Sequence, residues 1–514
     1  MRKSPLLSAL ALVAAGALAL SGCSTSGGTD TDSSSGGTLV LGQLQGVSQL
    51  DPNITSLQSD LIPTTLLYSA LTKQAEDGSI VGDLADSWET SEDGLEWTFT
   101  LKSGVTFHDG SDFTAQDVVD SVEYVLNPDT ASQYAAKISA VASVEAVDDL
   151  TVKFTLSVPS PALAAGLTYT KIVQADDLAT INETGNGTGP FKLENFVPGQ
   201  ELDVVANPDY FGGAPKVEGV KVVKYADQTA AERALSAGEV SMLYDVPKAN
   251  IDTLLGTADL QLIVPAEPGG LSAWEVDTTS APFNNPAARQ ALSYAMDRES
   301  MVAAGYAGYA TINTVNSLAT PTSPYFASGL TEYEFDLDKA KALFAEAGVT
   351  EGTTLTFWSL AGAFPEWVTM AQILQADLAK IGITLDIQTN ETNTWLEKFY
   401  PAGKTYPATI VPNQLSFAAL PDTFSSQWFS KNGSCECNWT GTDEFNAAVD
   451  VVTTSYDEAE RKAAFEVIQQ IISDQVPIVI IANVSANAVA TAGVSGAWIQ
   501  GDNLLRIENA SLTK

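Results

Sequence analysis

The chain has 514 residues, with 63 acidic against 25 basic side chains and a formal net charge of −38. It therefore lacks the basic face that nucleic acid or anionic lipid demands of a partner. Hydrophobic residues at 45% and charged residues at 17% are the balance of a folded soluble body, and the acidic excess reads as a solvated surface rather than as a clue to any ligand. At the start of the chain, Met1-Arg2-Lys3 carries positive charge and residues 6–20 form an apolar run broken only by Ser8 and Gly16. That is the pattern of a signal-peptide core. It is shorter than the roughly 20 residues of a membrane-spanning helix and lacks a basic flank after it.

Leu20-Ser21-Gly22-Cys23 follows directly and resembles the lipobox of bacterial lipoproteins, in which the cysteine is diacylated and becomes the mature N-terminus. The resemblance makes residues 1–22 a signal peptide and Cys23 the lipid anchor. Residues 24–37 (STSGGTDTDSSSGG) offer no apolar surface to bury and read as a flexible tether of about 20 Å root-mean-square reach. The remaining stretch of about 480 residues is too long for one core and predicts about three structural units.

Along this body, residues 38–42 read as a strand. After the Asp93-Gly94 turn, residues 96–102 alternate Trp97, Phe99 and Leu101 with polar neighbours, the pattern of a half-buried strand. Thr114 and Asp117 have capping-box spacing before Val118, Val122 and Val125, and Asn127-Pro128 ends that helix. Residues 151–156 form another alternating strand, and several more lie between 201 and 264. The second half changes character. Asn284-Asn285-Pro286 starts a helix, and residues 355–358, 366–380 and 383–387 read as a β-α-β unit, which implies a parallel strand pair. A helix over 457–473 leads into the apolar run 477–482. The fold class is mixed α/β.

Four segments resemble the family 5 extracellular solute-binding proteins, the oligopeptide- and dipeptide-binding proteins of ABC importers. The first runs from Leu84-Ala85-Asp86-Ser87-Trp88 through Trp97-Thr98-Phe99 and Phe107-His108-Asp109-Gly110 to Thr114-Ala115-Gln116-Asp117-Val118. The second joins Gly187-Thr188-Gly189-Pro190-Phe191 to Asn207-Pro208-Asp209-Tyr210-Phe211 and Ala234-Leu235-Ser236-Ala237-Gly238-Glu239. The third is Ala281-Pro282-Phe283 with Arg289-Gln290-Ala291-Leu292 and Ala295-Met296-Asp297-Arg298-Glu299. The fourth links Phe335-Asp336-Leu337-Asp338-Lys339-Ala340 and Ala345-Glu346-Ala347-Gly348 to residues 375–383. All four also have scaffold readings: turns at Asp-Gly pairs, a tight bend at residues 187–190, and structural ion pairs for Arg289 and Arg298.

The resemblance implies a two-lobed α/β periplasmic-binding-protein-like fold with an extra subdomain in lobe one. Lobe one is expected at 38–71, 186–270 and 484–514, the extra subdomain at 72–185 and lobe two at 271–483. It also implies a substrate-binding lipoprotein that captures an extracellular peptide by hinge closure and delivers it to a membrane permease. Such a protein is a monomer that catalyses nothing and touches the membrane through its anchor only. The competing reading is an uncharged oligosaccharide or other organic solute as ligand.

An enzyme reading has little support. The chain has one histidine, His108, which reads as a turn residue, and no G-x-S-x-G elbow, Walker loop or H-E-x-x-H. One histidine and five methionines make a poor transition-metal site, and no spaced calcium loop is present; no cofactor is expected. Cys435 and Cys437 lack the second ligand pair of a zinc site. A local disulfide and two free thiols both remain open, with a solvent-facing, oxidised pair as the expectation.

Peptide-binding relatives place an acidic residue shortly before the proline corresponding to Pro421. Residues 414–420 here contain no acid, and only Asp422 could substitute. The arginine that dipeptide-binding relatives use in the loop after the strand 355–358 is likewise missing from residues 359–364. Free dipeptides are therefore expected to bind poorly. Trp274, Trp358, Phe364, Trp395, Phe417 and Trp428 are the candidates to wall an apolar or sugar-stacking cleft, with Asp422 as its acid.

Overall fold

A computed structural model describes residues 36–513, apart from 56, 322, 324, 361–363, 392–393, 396–397, 399–404, 417–427 and 432–436. Cys23, Cys435, Phe417 and Asp422 lie outside the described residues. No helix among the described residues is long and apolar enough to cross a membrane.

Three larger sheets organise the described residues. A seven-stranded mixed sheet runs in the order Leu260–Ile263, Ala488–Thr491, Met242–Tyr244, Thr38–Gln43, Gly219–Lys224, Glu201–Ala206 and Phe191–Val197. Within it Thr38–Gln43 is parallel to both of its neighbours, and Leu39, Leu41, Tyr68 and Phe191 centre its core. A six-stranded sheet runs Thr311–Ile312, Ile478–Val484, Gly270–Val276, Thr409–Ser416, Thr354–Leu360 and Thr384–Asn390. The expected β-α-β unit is there: Thr354–Leu360 and Thr384–Asn390 pair in parallel, joined through the helix Pro365–Lys380.

The third sheet is antiparallel and lies within the extra-subdomain stretch, in the order Ala85–Thr90, Glu96–Leu101, Thr151–Leu156 and Val141–Asp148. Trp97, Phe99 and Leu101 point inward as their alternation requires, meeting Phe154 and the helix Ala115–Leu126. That helix starts where the capping box put it, with Thr114 N and Oγ1 both donating to Asp117 Oδ2 at 2.8 and 3.0 Å.

The motif glycines at 187 and 189 carry a packing constraint. A Cβ on Gly187 would stand 2.1 Å from the Leu67 carbonyl oxygen, and one on Gly189 would stand 2.5 Å from that of Leu66. Only glycine lets this bend lie against the end of the helix Gln58–Leu67. His108 locks the same bend. Its Nδ1 accepts from Gly187 N (3.2 Å) and its Nε2 lies 3.1 Å from Gly189 O. This network selects the neutral Nε2–H tautomer, and burial pushes the imidazole below its ordinary range.

The arginines of the third motif correct an expectation. Arg289 and Arg298 are both 3% exposed and bind carbonyls rather than carboxylates. Arg289 donates to the carbonyls of Phe283, Gln475 and Val476. Arg298 donates to those of Ser293, Tyr333 and Ile480. Burial pushes both groups down to about 10. A five-donor fork satisfied by several carbonyl dipoles keeps its charge inside the protein without an acidic partner among the described residues.

Candidate functional site

Two segments connect the seven-stranded and six-stranded sheets: residues 264–269, after the strand Leu260–Ile263, and residues 485–487, before Ala488–Thr491. Pro265 and Pro268 stiffen the first, and Glu267 accepts from Thr320 Oγ1 at 2.9 Å. The second is tied down by Asn503, whose Oδ1 accepts from Ala486 N at 2.8 Å. The backbones of Gly269 and Gly501 meet so closely that a Cβ on Gly269 would overlap the Gly501 carbonyl oxygen. These are the two connections between the two sheets among the described residues.

The carboxyl ends of the parallel strands face this junction. Thr38–Gln43 and Met242–Tyr244 end there in lobe one, Thr354–Leu360 and Thr409–Ser416 in lobe two. Such strand ends are where open α/β sheets bind ligands. A groove of about 340 Å³ opens at the same place, in the range of small-molecule pockets. Lobe one supplies Lys248 and Ile251, lobe two supplies Tyr309 and Thr311, and both connections contribute, through Val264, Pro265 and Asn487. Tyr309 also reaches across to lobe one, donating to Asp252 Oδ1.

A second bridge joins the four-stranded antiparallel sheet to the residues just before the helix Glu458–Gln475. Tyr456, which precedes the helix Glu458–Gln475, accepts from Trp97 Nε1 at 3.0 Å and donates to the Gly94 carbonyl at 3.1 Å. Gly94 has φ +71°, and a Cβ there would lie 2.3 Å from the Tyr456 ring.

The aromatic candidates separate. Trp274 is fully buried in the lobe-two core, edge-on to Phe357 at 4.9 Å, so its expected place in the cleft is corrected. The cause is its strand. Gly270–Val276 is buried along its whole length, with core on both faces of the sheet, so an aromatic there is core whichever way it points. Trp395 (4% exposed) packs with Tyr406 and Val411, with the half-buried Trp358 against them under Lys398 Nζ at 5.1 Å. Trp428 packs on Phe429 at 4.9 Å. Phe364 is 39% exposed, has φ +51° and stacks on Trp367 at 4.1 Å. Cys437 is disulfide-bonded but fully buried with Phe429 and Phe445, not solvent-facing. The polar groove residues Lys248, Tyr309 and Asn487 were missed from sequence. No motif marks them, and only the strand-end position of Lys248, just after Met242–Tyr244, could have pointed to it.

Residues 79–435 match the family described as bacterial extracellular solute-binding proteins, family 5 Middle. Heme-binding protein A of Haemophilus influenzae is 28% identical over 448 residues, 80% of each chain. A putative ABC transporter peptide-binding protein of Brucella ovis is 30% identical over 344 residues, 64% of this chain and 63% of the relative. The crystal structure of the ABC transporter substrate-binding protein CtaP from Listeria monocytogenes superposes with a TM-score of 0.82 at 26% identity, covering 93% of this chain and all of that one. With the two-lobed fold, its two connections and the match over most of its length, the chain belongs to the family 5 extracellular solute-binding proteins of ABC importers.

Proposed function

We propose that the protein is the lipid-anchored substrate-binding subunit of an ABC importer. Anchored through Cys23, it captures an extracellular peptide by hinge closure, hands it to the membrane permease and performs no chemistry on it. It acts as a monomer, and Cys23 is its one attachment to the membrane. The observation that carries this reading is the groove built jointly from both lobes and both connections, because its shape changes with the hinge angle and so couples binding to closure. The Brucella relative supports peptide as the class. The relative named for heme shows that the scaffold also serves other ligands. A second reading, an uncharged oligosaccharide or similar solute, is favoured by the exposed Phe364 stacked on Trp367, a ready face for a sugar ring.

Native mass spectrometry of the full chain purified from membranes tests both readings. A peptide mass released on denaturation is the expected result, and a carbohydrate mass would replace the first reading by the second. For the anchor, Cys23→Ser should leave the membrane fraction and lose the acyl mass. Retention in that fraction by a protein that carries no added acyl mass would refute the anchor.

A further inference from the structure

The uncharged lobe-two loop leaves open where a peptide's charged end is received. Lys248 begins the helix Lys248–Leu255 immediately after Met242–Tyr244 and lines the groove. Its side chain is only 14% exposed. Its ion-pair partner, Asp245, is 3.7 Å away and 56% exposed, a contact longer than a hydrogen bond and weakened by solvent. Glu366 of lobe two senses Lys248 electrostatically, yet burial still pushes its carboxyl up, and the two form no ion pair among the described residues. Lys248 is thus a largely buried side chain whose one ion pair among the described residues is long and leads to a solvent-exposed carboxylate.

Asn487, on the second connection, lies against the residues leading into Lys248. Its Nδ2 donates to Val246 O at 2.9 Å, and its backbone carbonyl accepts from Asp245 N at 2.6 Å. The bond to a carbonyl fixes which way the amide faces, so Oδ1 is the remaining atom. It is buried, has no hydrogen-bond partner among the described residues, and belongs to a residue 2% exposed that lines the same groove. An acceptor held in that state is completed by a donor that enters the groove, a water or a ligand N–H. The neighbouring walls, Ile251, Val264, Pro265 and Pro268, are apolar.

We propose that this end of the groove receives the carboxy-terminal residue of a peptide. The α-carboxylate meets Lys248 Nζ, the last peptide N–H donates to Asn487 Oδ1, and the side chain lies against Val264 and the two prolines. The assignment rests on the peptide reading above and deepens it: lobe one and the hinge read the charged end, while lobe two supplies closure.

The test uses the full-length protein stripped of ligand and two probe sets, a mixture of pentapeptides with free carboxyl ends and the same mixture as carboxy-terminal amides. Losing one charge-assisted hydrogen bond corresponds to roughly a 10- to 100-fold change in affinity. Wild type should hold the acids tighter than the amides by that factor. Lys248→Met and Lys248→Gln should lose the preference without losing amide binding, and Lys248→Arg should keep most of it. If wild type shows no preference, or the two uncharged variants retain it, the subsite is refuted and the peptide reading stands. If neither probe set binds wild type, the peptide reading fails and the subsite fails with it.

Discussion

Replacing Tyr456 by phenylalanine removes one hydroxyl and with it both of its hydrogen bonds to the four-stranded sheet and its turn, while leaving the ring beside Trp97 in place. A net hydrogen bond is worth about 0.5–1.5 kcal/mol. Tyr456 is 42% exposed, so water replaces part of the loss, and about 1 kcal/mol for the pair is the reasonable sum. Because the two bonds join separately packed parts of the chain, that energy belongs to their mutual arrangement and not to the core of either. The population of the bridged arrangement relative to one with the two parts separated should therefore fall about fivefold, with the midpoint of thermal unfolding nearly unchanged. Pulsed electron paramagnetic resonance between nitroxides on the exposed Glu76 and Glu334 reads the interlobe distance distribution directly. An identical distribution in wild type and Tyr456→Phe would show that the bridge does not hold the lobes together. A large drop in unfolding temperature would show that it stabilises a lobe instead.

Two further outcomes follow from the bend at residues 187–190. Gly187→Ala forces a methyl group to 2.1 Å from the Leu67 carbonyl oxygen, so the backbone must shift. Urea unfolding should show a loss above about 2 kcal/mol, and a loss under 0.5 kcal/mol, within the range of an ordinary surface change, would mean the approach is soft. For His108, the native imidazole is held below the ordinary 6.5, first by desolvation. The unfolded state therefore takes up the proton first as pH falls. The stability held by the neutral ring is complete above pH 6.5 and is lost progressively below it. Wild type should lose more stability than His108→Gln between pH 7.5 and 5.5 in urea titrations. Equal losses would show that the ring is not kept neutral in the folded protein.

Local patterns in the chain were enough for much of the scaffold. Alternation along residues 96–102 and 151–156, the Thr114/Asp117 capping box, Asn285-Pro286 as a helix start and the parallel pair around residues 366–380 all match the described elements. These features obey short-range rules of backbone and side-chain periodicity, which a sequence displays whatever the rest of the chain does. The family motifs then carried the two-lobed fold. Properties that depend on a second segment were decided only by tertiary structure. Trp274 reads as an available aromatic until the strands on both sides of Gly270–Val276 and the cores on both its faces enclose it. Arg289 and Arg298 read as ion-pair formers until carbonyls from residues far along the chain fill their donor sites. Lys248, an ordinary helix-opening lysine in sequence, gains its setting from a connection some 240 residues later, where Asn487 binds the backbone just before it. Partner identity at long range sets desolvation and charge, and no local pattern encodes it.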